Sequence, residues 1–592
     1  MTNPTPTLRP ALLPRMPWWV AGVLLLVAGW FLTTHYLHVF SEVINWDEFA
    51  ILERAERSVR FGKVIGDGRP GLITIVLMPF VKGCIDATRS VVEARLLWQG
   101  ITVAYLFGVY CLVRRWFAHA GRPQEGNAPA LLAVALLAFL PAFVAWSVQV
   151  RTDQAALAAT VWAGVLLLST GYLQAALAGA LIAIGLLCTQ KGIYTVALIG
   201  VLFATATLAR AWPLHDRSRE ELQRAAKRLG VVAIAAVGVI ALYYQLVPDV
   251  KRLASGDMVM SSLETMRFSR KSQGYRIYTV HMTRLLVHWV LFAVLVVWTA
   301  RTLRNRDRTE LPLIATCWLA LALGLAVIVV HGSAFPYFIM TAGLFPALAL
   351  SMAAGRPLAT TGRSAWPVIA ALVVLSALQS AREAVEMLED TQQEQRDTLR
   401  LVYDSPLKDR RGYQVEGALL CMRDPDPLPT MFSPGIYQRF RKSDKAAQNI
   451  ADWIGQFRGR PVAYIVDSHR LRQFPAPITR FWGEHYIWYS HSLYVAGYNV
   501  HASLGPRDVD VIAAGRYRWD AAAVTPRAQL RIDGAVLEPG GTIALQVGTY
   551  RAEALGRHAQ GQLILADLPP PVRGQGPAFY LRRQLTQLGG RR

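Results

Sequence analysis

Asp47 and Glu48 stand side by side in the stretch SEVINWDEFA, and an Arg69-Pro70-Gly71 turn follows a short way on. A carboxylate in such a place can take the proton of a hydroxyl nucleophile. Basic residues recur further along: Arg95, Arg151 with Asp153 beside it, and Lys191. A run containing Lys251, Arg252, Arg267, Arg270, Lys271, Arg276 and Arg284 comes next, and then His331. Guanidinium forks bind phosphate oxygens bidentately, and fixed cations stabilise the charge that grows on a departing phosphate. Acid and cations together match a reaction in which a sugar leaves a lipid phosphate and is captured by a hydroxyl. Each group also has a plainer reading. The paired acids can cap a helix, Asp153 can pair with Arg151 at a helix start, Lys191 can snorkel from a short loop, and the basic run can rest on anionic headgroups.

The elements that must position these residues are set by hydropathy. Of 592 residues, 53% are hydrophobic and 17% charged, below the quarter usual in soluble domains. The apolar residues gather in runs of about 18–22 through the first 380 or so positions, the length a helix needs to cross a bilayer. The runs predict about 11 spans, at 17–36, 93–113, 129–148, 154–170, 173–189, 192–210, 229–247, 285–300, 311–330, 335–353 and 365–381. The first is too long for a signal-peptide core and lacks a small-residue cleavage site, so it reads as a retained anchor. Arg9 and Arg15 before it, Arg114 and Arg115 after the second span, and the arginines around 210–228, 301–308 and 356–363 fall on one side when the N-terminus is cytoplasmic. That topology puts Asp47, Glu48, Arg69, Arg151, Asp153, Lys191, the 248–284 loop and His331 on the opposite, exported face. A charge at membrane depth costs several kcal/mol unless it is paired or lines a polar cavity, so Arg151, Asp153 and Lys191 are candidates for function. No acid falls in mid-span and no internal repeat stands out, which disfavours a proton-coupled transporter. The five cysteines have no CxxC spacing, so neither a zinc site nor a disulfide framework is indicated.

The order of these parts resembles a known family. A short N-terminus, one span, Asp-Glu with a helix-like FAILERAERSVRFG, a Gly-Arg-Pro-Gly, an apolar stretch and Arg95 opening the second span follow one another. This layout is similar to the GT-C glycosyltransferases of the protein O-mannosyltransferase and lipid A aminoarabinose transferase type. The resemblance implies that Asp47 is the general base and Glu48 an acid that positions the acceptor or the base. It implies that Arg69 contacts the donor phosphate in place of the family's usual Lys-Pro-Pro lysine. Asp153 and Lys191 match the acid and the lysine of later exported corners, with the 248–284 arginines as supporting cations.

From Glu383 onward the chain reads as a soluble domain. SDKAAQNIADWIGQFRGRPVAYIVD predicts a helix and a buried strand, DVDVIAAGRY a further strand, and RAQLRIDGAVLEPGGTIALQVGTYRAEA a small antiparallel unit between glycine-rich turns. The patch FWGEHYIWYSHSLYVAGY, with His485 and His491, reads as domain core or interfacial belt ahead of a sugar platform. The expectation is a mainly α chain: residues 1–382 a polytopic GT-C-like transmembrane domain, and 383–592 an exported α/β domain with a small β unit. The function expected is inverting transfer from a polyprenyl-phosphate sugar to an exported glycan, lipid or protein, such as lipopolysaccharide, at the inner membrane. No cofactor is expected; Asp47, Glu48 and Asp153 could hold a divalent cation, but no metal-ligand spacing supports it. The net charge of +22 fits anionic lipids as partners. Nucleic acid is not indicated, since the basic residues divide between both membrane faces. Two rivals remain: a flippase for lipid-linked saccharides, and a polymerase or ligase using a diphosphate donor.

Overall fold

The computed structural model describes residues 17–42, 44–66, 70–81, 87–211, 216–250, 252, 283–331, 337–360, 365–389, 392–413, 438–467, 471–490, 492–566 and 568. They form two compact units. One comprises 1–42, 61–79 and 92–389; the other comprises 43–60, 80–91 and 390–592.

The first unit is helical. Its elements are α1 (Trp18–Ser41), α3 (Leu72–Val81), α4 (Ala87–His119), α5 (Asn127–Ala138), α6 (Pro141–Trp146), α7 (Thr152–Leu167) and α8 (Tyr172–Cys188). Then follow α9 (Gly192–Ala211), α10 (Asp216–Leu246), α11 (Leu286–Asn305), α12 (Leu311–His331), α13 (Phe338–Thr360) and α14 (Ala365–Glu389). Helix α2 (Trp46–Phe61) up to Arg60, the last two residues of α3 and the start of α4 fall in the second unit. Among the described residues, eight helices are long and apolar enough to cross a membrane. They are α1, α4 and α9 to α14, and the chain is accordingly a multi-pass membrane protein. Helix α4 has 33 residues, about 50 Å at 1.5 Å per residue, well beyond a bilayer core of about 30 Å.

The remaining three expected spans are shorter helices, and their local chemistry explains why. The run at 129–148 breaks at Phe139-Leu140 because Pro141 has no N–H to donate and disfavours helical backbone at the residue before it. Leu140 is extended, with φ −65° and ψ 124°, and α6 restarts with Pro141 in its first turn. Every residue from Leu132 to Arg151 except Val134 is buried. A broken helix at membrane depth is tolerated when protein surrounds it. Helix α8 has 17 residues and packs close to its neighbours. A Cβ on Gly185 would stand 2.6 Å from Thr160 Cγ2 of α7, so only glycine admits that approach.

The second unit is an α/β layer with a β extension, as the sequence leads one to expect. Among the described residues, helices α15 (Gln393–Tyr403), α16 (Ala446–Gly459) and α17 (Ala476–His485) accompany eleven strands. These are β1 (Gly412–Tyr413), β2 (Tyr464–Val466), β3 (Tyr486–Ser490), β4 (Leu493–His501), β5 (Arg507–Val511) and β6 (Gly515–Ala521). After them come β7 (Gln529–Ile532), β8 (Ala535–Leu537), β9 (Thr542–Leu545), β10 (Gly548–Leu555) and β11 (Gln560–Leu565). The larger sheet runs β1-β2-β4-β11-β6-β9, with β3 also paired to β4; β1 and β2 are parallel and the other pairs antiparallel. The smaller sheet is β5-β10-β7-β8, wholly antiparallel. Its β7–β8 hairpin turns on Asp533 and Gly534, both at positive φ, as a two-residue Asp-Gly turn requires. The aromatic patch belongs to the core: Phe481, Trp482, Tyr486, Tyr489 and Tyr498 are buried, and Tyr413, Trp453, Phe457, Phe474 and Trp482 pack edge to face. His491 lies outside the described residues.

Candidate active site

The two acids at the start of α2 have different surroundings. Asn45 precedes the helix, and its side-chain Oδ1 accepts a hydrogen bond from the Asp47 backbone N–H at 2.8 Å. Glu48 reaches back, its Oε2 accepting from the Asn45 backbone N–H at 2.9 Å. This is a reciprocal capping box with Asn in the place of Ser or Thr, and it satisfies two otherwise orphaned donors. Glu48 is fully buried by that role, whereas Asp47 is partly exposed and the cap is complete without its carboxylate. Of the two acids expected to cap a helix, Glu48 takes part in the cap, whose N-cap residue is Asn45 and not Asp47. One further acid of the helix, Glu56, is held by burial above the usual carboxylate range, an effect its neighbours Arg60 and Arg57 oppose.

In the first unit, three of the expected cationic and acidic residues meet. Arg151 stands extended at the N-cap of α7, Asp153 lies in the first turn of that helix, and Lys191 lies in the turn leading into α9. Lys191 Nζ is 3.4 Å from Asp153 Oδ2, so the acid pairs with a lysine nearly forty residues on. Arg151 and Asp153 are buried, at 5% and 4% exposure, while the Lys191 side chain keeps 25%. Both cations rest on one ring: the Arg151 guanidinium lies 3.5 Å and Lys191 Nζ 4.9 Å from the centroid of Tyr337. Trp146 flanks Arg151 at 5.8 Å and Phe338 flanks Lys191 at 5.7 Å. An aromatic face attracts a cation electrostatically, most strongly where water is excluded.

Buried polar groups support this cluster. Arg151 Nη1 donates to Gln149 Oε1 at 3.4 Å, and Gln149 Nε2 donates to Glu42 Oε1 at 3.0 Å at the end of α1. Trp98 Nε1 donates to the Arg151 carbonyl at 2.9 Å. Two turns earlier in α1, His35 Nε2 meets Ser147 Oγ at 2.8 Å. Arg95 is fully buried one turn before Trp98, and its Nη1 donates to the Glu42 carbonyl at 2.9 Å and the Val39 carbonyl at 3.4 Å. It caps the last turn of α1, where a cation also complements the helix dipole.

The Arg-Pro-Gly turn is described only from Pro70. Tyr243 Oη donates to the Pro70 carbonyl at 2.5 Å, and Gly71 has φ +80° with Val250 Cγ1 2.9 Å and Val64 Cγ1 3.2 Å from where a Cβ would stand. Arg69, Arg267 and Arg270 lie outside the described residues. His331 is the last residue of α12, and its side chain is likewise not described. Among the described residues, no group of three or more His, Cys, Asp or Glu could hold a metal ion. Tyr337, Gln149, Glu42 and Trp98 were not legible as site residues. Glu42 alone gave a signal, an acid at the very end of the first apolar run.

The fold and these residues define a multi-pass membrane protein, with a buried cation–aromatic cluster in its helical unit and a capped acidic helix start in the other. No family model and no curated protein matches the chain. Among solved structures it is similar to ArnT from Cupriavidus metallidurans bound to undecaprenyl phosphate, at 14% identity over 67% of this chain and 83% of that one, with a TM-score of 0.45. It is also similar to the Archaeoglobus fulgidus oligosaccharyltransferase in complex with zinc and sulfate, at 10% identity over 92% of this chain and all of that one, with a TM-score of 0.41.

Proposed function

We propose that the chain is an inverting glycosyltransferase of the inner membrane that moves a sugar from a polyprenyl-phosphate donor to an exported hydroxyl acceptor. The acceptor O–H gives its proton to the Asp47 carboxylate. Its oxygen then bonds to the anomeric carbon as the bond from that carbon to the phosphate oxygen breaks, and the electron pair leaves with the polyprenyl phosphate. Arg151 and Lys191, like Arg69, Arg267, Arg270 and His331, are assigned from the sequence to the donor phosphate, whose growing charge fixed cations would offset.

The observation that carries this reading is the pair of cations on Tyr337. Arg151 and Lys191 bring two positive charges to one ring, Asp153 pairs with the lysine, and Glu42 lies one glutamine beyond the arginine. A guanidinium and an ammonium held in fixed places can bind phosphate oxygens through charge-assisted hydrogen bonds. The contrast between the two acids supports Asp47 as the base. Glu48 is committed to the Asn45 N–H, so its replacement disturbs the helix start, whereas Asp47 keeps access to solvent. Arg95 is better assigned to positioning the end of α1 than to substrate.

The test uses the purified chain in nanodiscs with a panel of synthetic undecaprenyl-phosphate sugars, with release of undecaprenyl phosphate followed by mass spectrometry. One panel member is expected to turn over, Asp47→Asn to lose at least 100-fold in kcat while still binding undecaprenyl phosphate, and Glu48→Gln to keep most activity because its amide oxygen still accepts from Asn45. Full turnover by Asp47→Asn would refute the base assignment. A flippase would keep transport in that variant, and consumption of diphosphate donors alone would favour the polymerase or ligase.

A further inference from the structure

We propose that Gln395 is the positioning residue for Asp47, through a two-point clamp on Ile44; this rests on the assignment of Asp47 as the base. Gln395 lies in α15, far from Asp47 in sequence and in the part of the chain that reads as a separate soluble domain. Its side chain nevertheless makes both hydrogen bonds that a neighbouring strand would make. Oε1 accepts from the Ile44 backbone N–H at 2.6 Å, and Nε2 donates to the Ile44 carbonyl at 2.8 Å. Gln395 is 1% exposed and Ile44 fully buried, so neither bond competes with bulk water. The clamped residue directly precedes Asn45, whose own backbone N–H and side chain form the capping box with Glu48 and Asp47. Fixing Ile44 therefore fixes the cap, and the cap fixes the first turn that carries Asp47.

The clamp is itself anchored. Gln395, Thr398, Leu399 and Val402 form the buried face of α15 at helical spacing. Thr398 Oγ1 accepts from the Ser492 backbone N–H at 3.3 Å, and Ser492 Oγ donates to Glu394 Oε1 at 3.4 Å. Ser492 begins the approach to β4, and its carbonyl accepts from Asp467 N–H at 2.7 Å, just past β2. A continuous set of buried bonds thus runs from the central strands of the larger sheet through α15 to Ile44. The C-terminal unit does not merely follow the membrane helices. It holds the chain segment that bears the acid, and a base displaced by about 1 Å can lose about 100-fold in rate.

Two readouts on the full chain in nanodiscs test this. Hydrogen exchange at the Ile44 amide reports the clamp without reference to activity. Steady-state kinetics with the undecaprenyl-phosphate sugar turned over fastest in the panel report its consequence. Gln395→Leu is expected to speed Ile44 exchange at least 10-fold and to lower kcat roughly 10- to 100-fold, with donor KM within about twofold. Gln395→Glu keeps an acceptor for the Ile44 N–H but sets a carboxylate against its carbonyl. It gives a smaller loss of the same kind, and it carries the test if the leucine variant does not fold. Unchanged Ile44 exchange in both variants, or faster exchange with wild-type kcat beside an inert Asp47→Asn, overturns the positioning role alone. Full turnover in Asp47→Asn sinks the base assignment and this proposal with it. A KM that rises as kcat holds assigns Gln395 to donor binding and likewise overturns it.

Discussion

Replacing Lys191 with methionine separates the two things a lysine in this position could do. In the structure it neutralises Asp153 at 3.4 Å and rests on Tyr337 at 4.9 Å. Methionine keeps most of the length of the stem and removes the charge. Asp153, at 4% exposure, is then a buried carboxylate without its lysine, and breaking such a pair costs about 3–5 kcal/mol where the pair is fully buried. The Lys191 side chain is 25% exposed, so solvent relieves part of that and about 2 kcal/mol of lost stability is expected. The double variant Asp153→Asn, Lys191→Met should recover most of it, because neither charge of the pair is then left buried. Anion binding behaves differently. A charge-assisted hydrogen bond is worth about 1.5–3 kcal/mol, so undecaprenyl phosphate affinity should fall roughly 10- to 100-fold in Lys191→Met and stay low in the double variant. Asp153→Asn alone should bind at least as tightly as wild type, since it removes the negative charge that the lysine faces. Native mass spectrometry titrations give affinity, and thermal unfolding in detergent gives stability. Lys191→Met with lowered stability and wild-type affinity would refute the phosphate role and leave Lys191 as the partner of Asp153 alone.

Four further outcomes follow from local geometry. Arg151→Lys keeps the charge but loses the planar stack 3.5 Å from Tyr337, and undecaprenyl phosphate affinity should fall about 10-fold in native mass spectrometry. Gly71→Ala forces a side chain into φ +80° with Val250 2.9 Å away, and should lower the unfolding temperature through a cost of about 1–3 kcal/mol. Tyr413→Phe should leave the unfolding temperature unchanged or raise it, because the buried Tyr413 hydroxyl has no hydrogen-bond partner among the described residues. Burial raises the Glu56 carboxyl above 4.5, so the folded state binds its proton more tightly than the unfolded state does. Its contribution to stability is therefore full below pH 4.5 and is lost as pH rises through the folded pKa. Glu56→Gln should flatten that fall in the exchange protection of α2.

Apolar run length and strand alternation were enough to read most helices of the first unit and the mixed α/β character of the second, because bilayer length and strand alternation leave signals in any single segment. What they missed are consequences of contact. Pro141 was visible in the sequence, but an unbroken apolar run around it hid the interruption between α5 and α6. Asp153 stood beside Arg151, so a local pair was the natural expectation, and only the fold brings Lys191 to it. Tyr337 lies in an ordinary SAFPYF entry to a span, and nothing there announces that two cations will share its ring. The split of the chain into units is the clearest case. Hydropathy divides the sequence near 383, yet residues 43–60 and 80–91 cluster with 390–592. A backbone clamp such as that of Gln395 on Ile44 is invisible to composition, since any buried glutamine in a helix looks the same.

The different fates of the adjacent acids bear on why a chain would carry both. An isolated carboxylate at a helix start has two competing uses, accepting from the unpaired N–H groups there and taking a proton from a substrate. If one residue served both, every proton it took would weaken the helix that holds it, and the base would move at the moment it was needed. Here the uses are divided. Glu48 is buried against the Asn45 N–H and Asn45 Oδ1 covers the Asp47 N–H, so protonation of Asp47 leaves both capping bonds in place. Exchanging the two acids is therefore not a neutral swap. The double variant Asp47→Glu, Glu48→Asp shortens the capping arm by one methylene, which no longer spans 2.9 Å to the Asn45 N–H without shifting the first turn. Loss of that cap should cost about 1 kcal/mol in stability, while turnover should fall much further, by an amount close to that of Gln395→Leu. Equal activity in the swapped chain would mean that the cap does not govern where the base stands.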